Sequence, residues 1–150
     1  MKLLVLNGPN LNLLGIRELN IYGKDTYTDL EKYIKEVCAE EEIEVEIFQT
    51  NHEGLLVDKI HAALDQHNAI LINPAAYTHT SIALLDALKA VTIPTVEVHL
   101  SDTDAREDFR KISYISQACI ATIKGQGFAG YKQGIKILKE YLNKEQRGAK

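Results

Sequence analysis

Leu3-Leu4-Val5-Leu6-Asn7-Gly8-Pro9-Asn10-Leu11-Asn12-Leu13-Leu14-Gly15-Ile16-Arg17 is a short apolar run emptying into an amide-rich loop. Four consecutive aliphatic residues bounded by turn formers read as a strand covered on both faces. The asparagines, glycines and proline that follow give tight turns at the carboxyl end of that strand, which is where open α/β sheets hold their ligands. Within a few residues the same loop reaches Tyr22-Gly23. A phenol, with an ordinary pKa of about 10, is a poor base at neutral pH unless a cation stabilises its anion. Arg17 stands in sequence to be that cation.

Working outward, short aliphatic runs alternate with segments of helical period. Thr28-Asp29-Leu30-Glu31 has the form of a capping box, and Leu30, Tyr33, Ile34, Val37 and Cys38 make one apolar helix face that ends at Glu40-Glu41-Glu42. A second strand over 44–50, a helix over 55–67 and a buried strand over 69–72 follow. The loop 73–79 comes next, then a helix capped by Ser81 that runs to Val91. Pro94 breaks the chain before a fourth strand over 95–100, and a short helical turn covers 106–111. A fifth strand spans 119–124. Tyr131, Ile135, Leu138 and Leu142 mark the inner face of a last helix, and the polar tail over 143–150 is expected to fray. The alternation predicts an α/β fold, a flavodoxin-like three-layer sandwich whose five-stranded parallel sheet has the order 2-1-3-4-5. Its switch point falls between strands one and three, so the loops at Asn7 and Asn73 flank the ligand.

At 150 residues, 45% hydrophobic and 25% charged, the chain is expected to form one domain over 1–150. A formal charge of −4 and a pI near 5.7 supply no general attraction for nucleic acid or for an anionic membrane. An anionic ligand would have to be held by a few local arginines. Cys38 and Cys119 are too far apart in sequence to suggest a disulfide framework, and no signal-like apolar segment precedes the first strand. No run approaches the roughly 18 apolar residues of a membrane span. The expected location is the cytoplasm.

Polar residues end the strands of the presumed switch region: Asn7 and Asn10 after the first, Asn73 after the third, His99 on the fourth. Singly, each is ordinary turn chemistry; together they outline a site. Glu97 and His99 are two apart on a strand and face the same way, either as a carboxylate that orients a working imidazole or as a buried structural pair. Tyr77-Thr78-His79-Thr80-Ser81 offers hydroxyls and an imidazole at a helix start, or simply an N-cap with polar neighbours. Arg106 and Arg110, four apart, fit one helical face, as carboxylate forks or as solvated ion pairs. Gly125-Gln126-Gly127-Phe128-Ala129-Gly130 matches the dinucleotide fingerprint, but no further βα unit follows it, so close helix approach is the better reading. His52-Glu53 lacks a second histidine at metalloprotease spacing. His61 and His67 read as surface residues, and no metal-ligand set emerges.

In three ordered blocks the chain resembles the type II 3-dehydroquinases. They are 7–15 with Arg17-Glu18 and Tyr22-Gly23, then Asn73-Pro74-Ala75-Ala76-Tyr77-Thr78-His79-Thr80-Ser81, then Glu97-Val98-His99-Leu100-Ser101 with Arg106-Glu107 and Phe109-Arg110. The resemblance implies a homododecamer, a tetramer of trimers, that dehydrates 3-dehydroquinate without cofactor, metal or imine. By motif it implies Tyr22 as the base, with Arg17 keeping it phenolate. It implies Asn10 on the enolate, His99 as the general acid and Glu97 as its orienter. Asn73, His79, the backbone of Leu100 and Ser101, and Arg110 are the implied substrate contacts. Arg106 would support a closed lid, and Asp86 would reach a neighbouring subunit's site. Leu19 stands where the family usually has proline, so a more mobile lid loop is expected. Rival readings are a flavodoxin-like nucleotide- or phosphate-binding module and a non-enzymatic assembly protein. Retention of Tyr22, Arg17 and His99 together argues against the second.

Overall fold

The structure, a computed structural model, describes residues 1–149. Its strands are β1 (Lys2–Asn7), β2 (Glu44–Gln49), β3 (Ala69–Asn73), β4 (Thr95–His99) and β5 (Ala121–Lys124). The helices are α1 (Leu19–Tyr22), α2 (Tyr27–Glu40), α3 (Glu53–Ala62), α4 (Ile82–Val91) and α5 (Ala129–Gly148). All neighbouring strands are parallel, in the order β2-β1-β3-β4-β5. The register sets Asn7 beside Asn73 where β1 and β3 end, at the switch point.

Period-two alternation divides the sheet residues between two cores. Leu3, Val5, Leu71, Val96 and Val98 pack with Leu30 and Ile34 of α2 and with Tyr131, Ile135 and Leu138 of α5. Leu4, Leu6, Ile70 and Ile72 pack on the other face with Leu56 and Ile60 of α3 and Leu84 and Leu88 of α4. Each fully buried aliphatic side chain contributes about 1.5–3 kcal/mol of transfer free energy, which explains why β1 and β3 read as unbroken apolar runs. Helix α5 lies close to the sheet because Gly134 has no side chain; a Cβ there would come within 2.6 Å of Leu71 Cδ1. Among the described residues no helix is long and apolar enough to cross a membrane.

Several boundaries differ from the sequence reading. Helix α2 is capped by Thr26, not Thr28: the Thr26 hydroxyl accepts from the Asp29 amide while the Asp29 carboxylate accepts from the Thr26 amide. The earlier cap brings Tyr27 into the first turn, where it packs against the core. Helix α3 stops at Ala62 because the chain turns back through Asp65, at φ 61°. Residues 103–105 and 108–110 form separate single 3₁₀ turns with Arg106 extended between them, not one helical face. The tail expected to fray continues α5 to Gly148, since Lys144, Glu145, Gln146 and Arg147 are good helix formers with no breaker among them.

Candidate active site

The cleft begins where two loops touch. Gly8 donates its amide to the Asn73 carbonyl at 2.8 Å, and a Cβ on Gly8 would fall 2.6 Å from the Pro74 carbonyl oxygen. Only glycine lets the loops after β1 and β3 approach so closely. Asn10 follows in the left-handed region at φ 68°, a conformation asparagine tolerates. Beneath them, the buried Tyr131 hydroxyl donates to Asn7 Oδ1 at 2.7 Å and accepts from Asn73 Nδ2 at 3.0 Å. Burial pushes this phenol far above its ordinary range, so it stays neutral and can both donate and accept. Asn73 Oδ1 in turn accepts from the amide of Ala75, which is held at φ 50°.

Above this floor lies a cleft of about 120 Å³, which suits one small ring better than a dinucleotide. Asn10, Arg17, Tyr22, Asn73, His79, His99, Leu100, Ser101, Arg106 and Arg110 all line it, with Pro9, Leu11, Ala75, Ala76 and Thr103 between them. Every residue that the resemblance implied for the site is therefore at one place, with two exceptions. Glu97 is fully buried behind His99, and Asp86 is on the exposed face of α4, away from this cleft.

Tyr22 ends α1 and meets both lid-side arginines. Arg106 Nη1 donates to the phenol oxygen at 2.8 Å, while the Arg17 guanidinium lies over the ring, 4.7 Å from its centroid. Arg17, expected as the cation beside Tyr22, is there over the ring face while pairing with Glu18 at 2.9 Å, and Arg106 adds the hydrogen bond.

On the opposite side of the chemistry, His99 Nε2 is 2.6 Å from Glu97 Oε1. The Glu97 carboxylate also accepts from the Thr78 hydroxyl, from Ser113 Oγ at 2.9 Å and from Thr122 Oγ1 at 3.4 Å. Burial opposes its ionisation, but the bonds from His99, Thr78 and Ser113 outweigh burial and hold it below its ordinary value. An ionised carboxylate has no hydrogen to give, so Nε2 carries the proton and Nδ1 is left without a partner among the described residues. His79 is arranged differently. Its Nδ1–H donates to the Ile112 carbonyl at 2.6 Å, and burial keeps its pKa below the usual value, so a neutral ring offers Nε2 as an acceptor.

Sequence reasoning missed Tyr131 as a polar group, together with the roles of Thr78, Ser113 and Thr122. Thr122 had a signal: with β5 beside β4, the parallel register pairs it with Glu97. Ser113 had none. His67, expected on the surface, has a side chain only 6% exposed, with Nε2 3.0 Å from Glu46 Oε2 but not aligned as a hydrogen bond. The turn after α3 folds it against β2. The glycine-rich segment lines no part of the cleft; a Cβ on Gly130 would press on Val98 and Ile123, which is the close helix approach expected of it.

A cleft at the switch point of a flavodoxin-like sheet, whose ionisable groups come as a phenol and an imidazole each with its own charged partner, defines an α/β enzyme of the acid–base type. Which one is written in the sequence: residues 1–139 match the profile of the dehydroquinase class II family, and the chain belongs to that family. It is 52% identical to the 3-dehydroquinate dehydratase of Clostridium acetobutylicum over 144 residues, 96% of this chain and 100% of that one. Identity to the enzyme of the same name from Caldicellulosiruptor bescii is 54% over 143 residues, 95% and 99% of the two chains. The crystal structure of the type II dehydroquinase from Butyrivibrio crossotus superposes with a TM-score of 0.91 at 50% identity, covering 93% of this chain and 97% of that one.

Proposed function

We propose that this chain is a 3-dehydroquinate dehydratase, converting 3-dehydroquinate to 3-dehydroshikimate and water in the shikimate pathway that leads to chorismate and the aromatic amino acids. The observation that carries the reading is a guanidinium-held phenol sharing one cleft with a carboxylate-held imidazole, in a member of this family. Tyr22, as phenolate stabilised by Arg106 and Arg17, removes a proton from C2 beside the ketone. The electron pair moves onto the carbonyl oxygen as an enolate, which Asn10 stabilises through a bound water. Collapse of the enolate forms the C1–C2 double bond and expels the C1 hydroxyl, which leaves as water with the Nδ1 proton of His99 in its imidazolium form, Glu97 keeping hold of the Nε2–H throughout. Base and acid act from opposite faces of the ring, an anti elimination that uses neither metal nor imine.

Arg110 meets a ring hydroxyl or the substrate carboxylate, and Asn73, the His79 acceptor and the backbone of Leu100 and Ser101 make the other substrate contacts. The chain works as one dehydroquinase domain in the cytoplasm, assembled as a homododecamer of four trimers in which Asp86 completes a neighbour's cleft. Exposure of Phe109 and Ile112 beside the cleft supports a covering subunit there. The test is ultraviolet absorbance on mixing protein with 3-dehydroquinate, because only the product is a conjugated enone. Absorbance is expected to rise with wild-type protein and to stay flat with Tyr22→Phe. A flat trace from folded, assembled wild type would refute the assignment.

A further inference from the structure

Residues 112–114 belong to no helix or strand, yet they touch both imidazole supports at once. The Ile112 carbonyl accepts from His79 Nδ1 at 2.6 Å, Ser113 Oγ lies 2.9 and 3.0 Å from the two Glu97 oxygens, and the Tyr114 amide donates to the Thr78 carbonyl at 2.8 Å. Ser113 is itself aimed. Its oxygen accepts from the Ser116 amide at 3.0 Å, and its carbonyl accepts from the Ser116 hydroxyl at 2.9 Å. A hydroxyl has a single hydrogen; the Thr78 oxygen lies 2.8 Å away, but the ionised carboxylate is the stronger acceptor and takes it. Thr78 gives its own hydrogen to Glu97 Oε1, the oxygen that also meets His99, so Ser113 serves Oε2.

The geometry points to Ser113 as a positioning residue: by pinning the Glu97 carboxylate it locks His99 with the proton on Nε2 and presents Nδ1 to the substrate. Without that donor, the buried carboxylate has one fewer hydrogen bond and a protonated Glu97 becomes accessible. A protonated carboxyl donates to Nε2 instead of accepting from it, which leaves a neutral Nδ1–H imidazole, a weaker proton donor than the imidazolium that an ionised Glu97 supports. The titratable groups facing Glu97 are His99 on its own strand, His79 after β3 and Cys119 before β5. Burial pushes His79 down and the Cys119 thiol up, so both remain neutral in the neutral range.

The kinetic part of this inference rests on the dehydratase reading; the spectroscopic part does not. Magic-angle-spinning ¹⁵N spectra of protein labelled in its five histidines, with His99→Gln for assignment, read the tautomer directly. Wild type is expected to show His99 as the Nε2–H form, and Ser113→Ala to show a mixture. In turnover, Ser113→Ala should lower kcat by roughly 10- to 100-fold with KM changed less than about twofold. It should also move the acid limb of the kcat profile to higher pH, and Ser113→Thr should restore both. If Ser113→Ala does not fold, Ser113→Cys keeps the volume while replacing the hydroxyl with a weak donor, and gives the same readouts. An unchanged tautomer and an unmoved acid limb in a folded variant overturn the proposal, even if activity drops. An inactive wild type overturns the dehydratase reading instead, and leaves the spectra to judge Ser113.

Discussion

Replacing Tyr131 by phenylalanine removes one oxygen from the floor of the cleft. The ring is fully buried, and so are the two asparagines it joins: Asn7 is 0% and Asn73 3% exposed. Loss of the hydroxyl leaves Asn7 Oδ1 and one Asn73 Nδ2 hydrogen facing apolar surroundings, because Asn7 Nδ2 and Asn73 Oδ1 already serve Tyr27 and Ala75. An orphaned buried polar group costs about 1–3 kcal/mol, and the phenol's own desolvation is recovered in return, so the net loss is about 2–4 kcal/mol. At about 2–4 °C per kcal/mol for a chain of this size, Tm should fall by about 5–15 °C. Urea unfolding at one fixed protomer concentration should show a lower midpoint at unchanged slope. KM for 3-dehydroquinate should rise as well, because the Asn73 amide is then free to turn. A loss under about 0.5 kcal/mol with unchanged KM would refute the reasoning, since the asparagines would then have found other partners.

Two further outcomes follow from the same geometry. Arg106→Ala removes the donor at the Tyr22 oxygen; a hydrogen bond to a charged group contributes about 1.5–3 kcal/mol, so kcat should fall about 10- to 100-fold in the absorbance assay, and a change within twofold would contradict the assignment. Glu97 sits below its ordinary value of 4.5 in the folded protein, so the unfolded chain takes up that proton first and the stabilisation from this carboxylate is complete above pH 4.5 and lost as pH falls through the folded value. Urea unfolding below pH 4.5 should therefore show a shallower pH dependence in Glu97→Gln than in wild type.

The sheet was legible because β1 and β3 are buried on both faces and so read as unbroken aliphatic runs, and because the alternation of strands and helices leaves few topologies. The Glu97–His99 pair was legible for a local reason: two residues apart on a strand fixes a common face. Helix boundaries were less so. Thr26/Asp29 and Thr28/Glu31 both satisfy the capping spacing, and the choice was made by tertiary packing of Tyr27. The arginine pair shows the same limit, since 106–110 meets the helical spacing but its backbone bonds close only single turns. Ser113 and Tyr131 carried no signal because their partners lie 16 residues away in one case and 58 and 124 in the other, and neither a lone serine nor a tyrosine on an apolar helix face shows what it will meet.

The dependence of the site's floor on Tyr131 also orders events during translation. The chain emerges from its amino end, so β1, β3 and β4 leave the ribosome before α5 does. Until that helix docks, Asn7 and Asn73 have no phenol between them, and the loops they anchor lack their support. Competence to bind substrate is therefore conferred late, by one of the last segments synthesised, and a nascent or prematurely terminated chain stays inert even though its motifs are already complete.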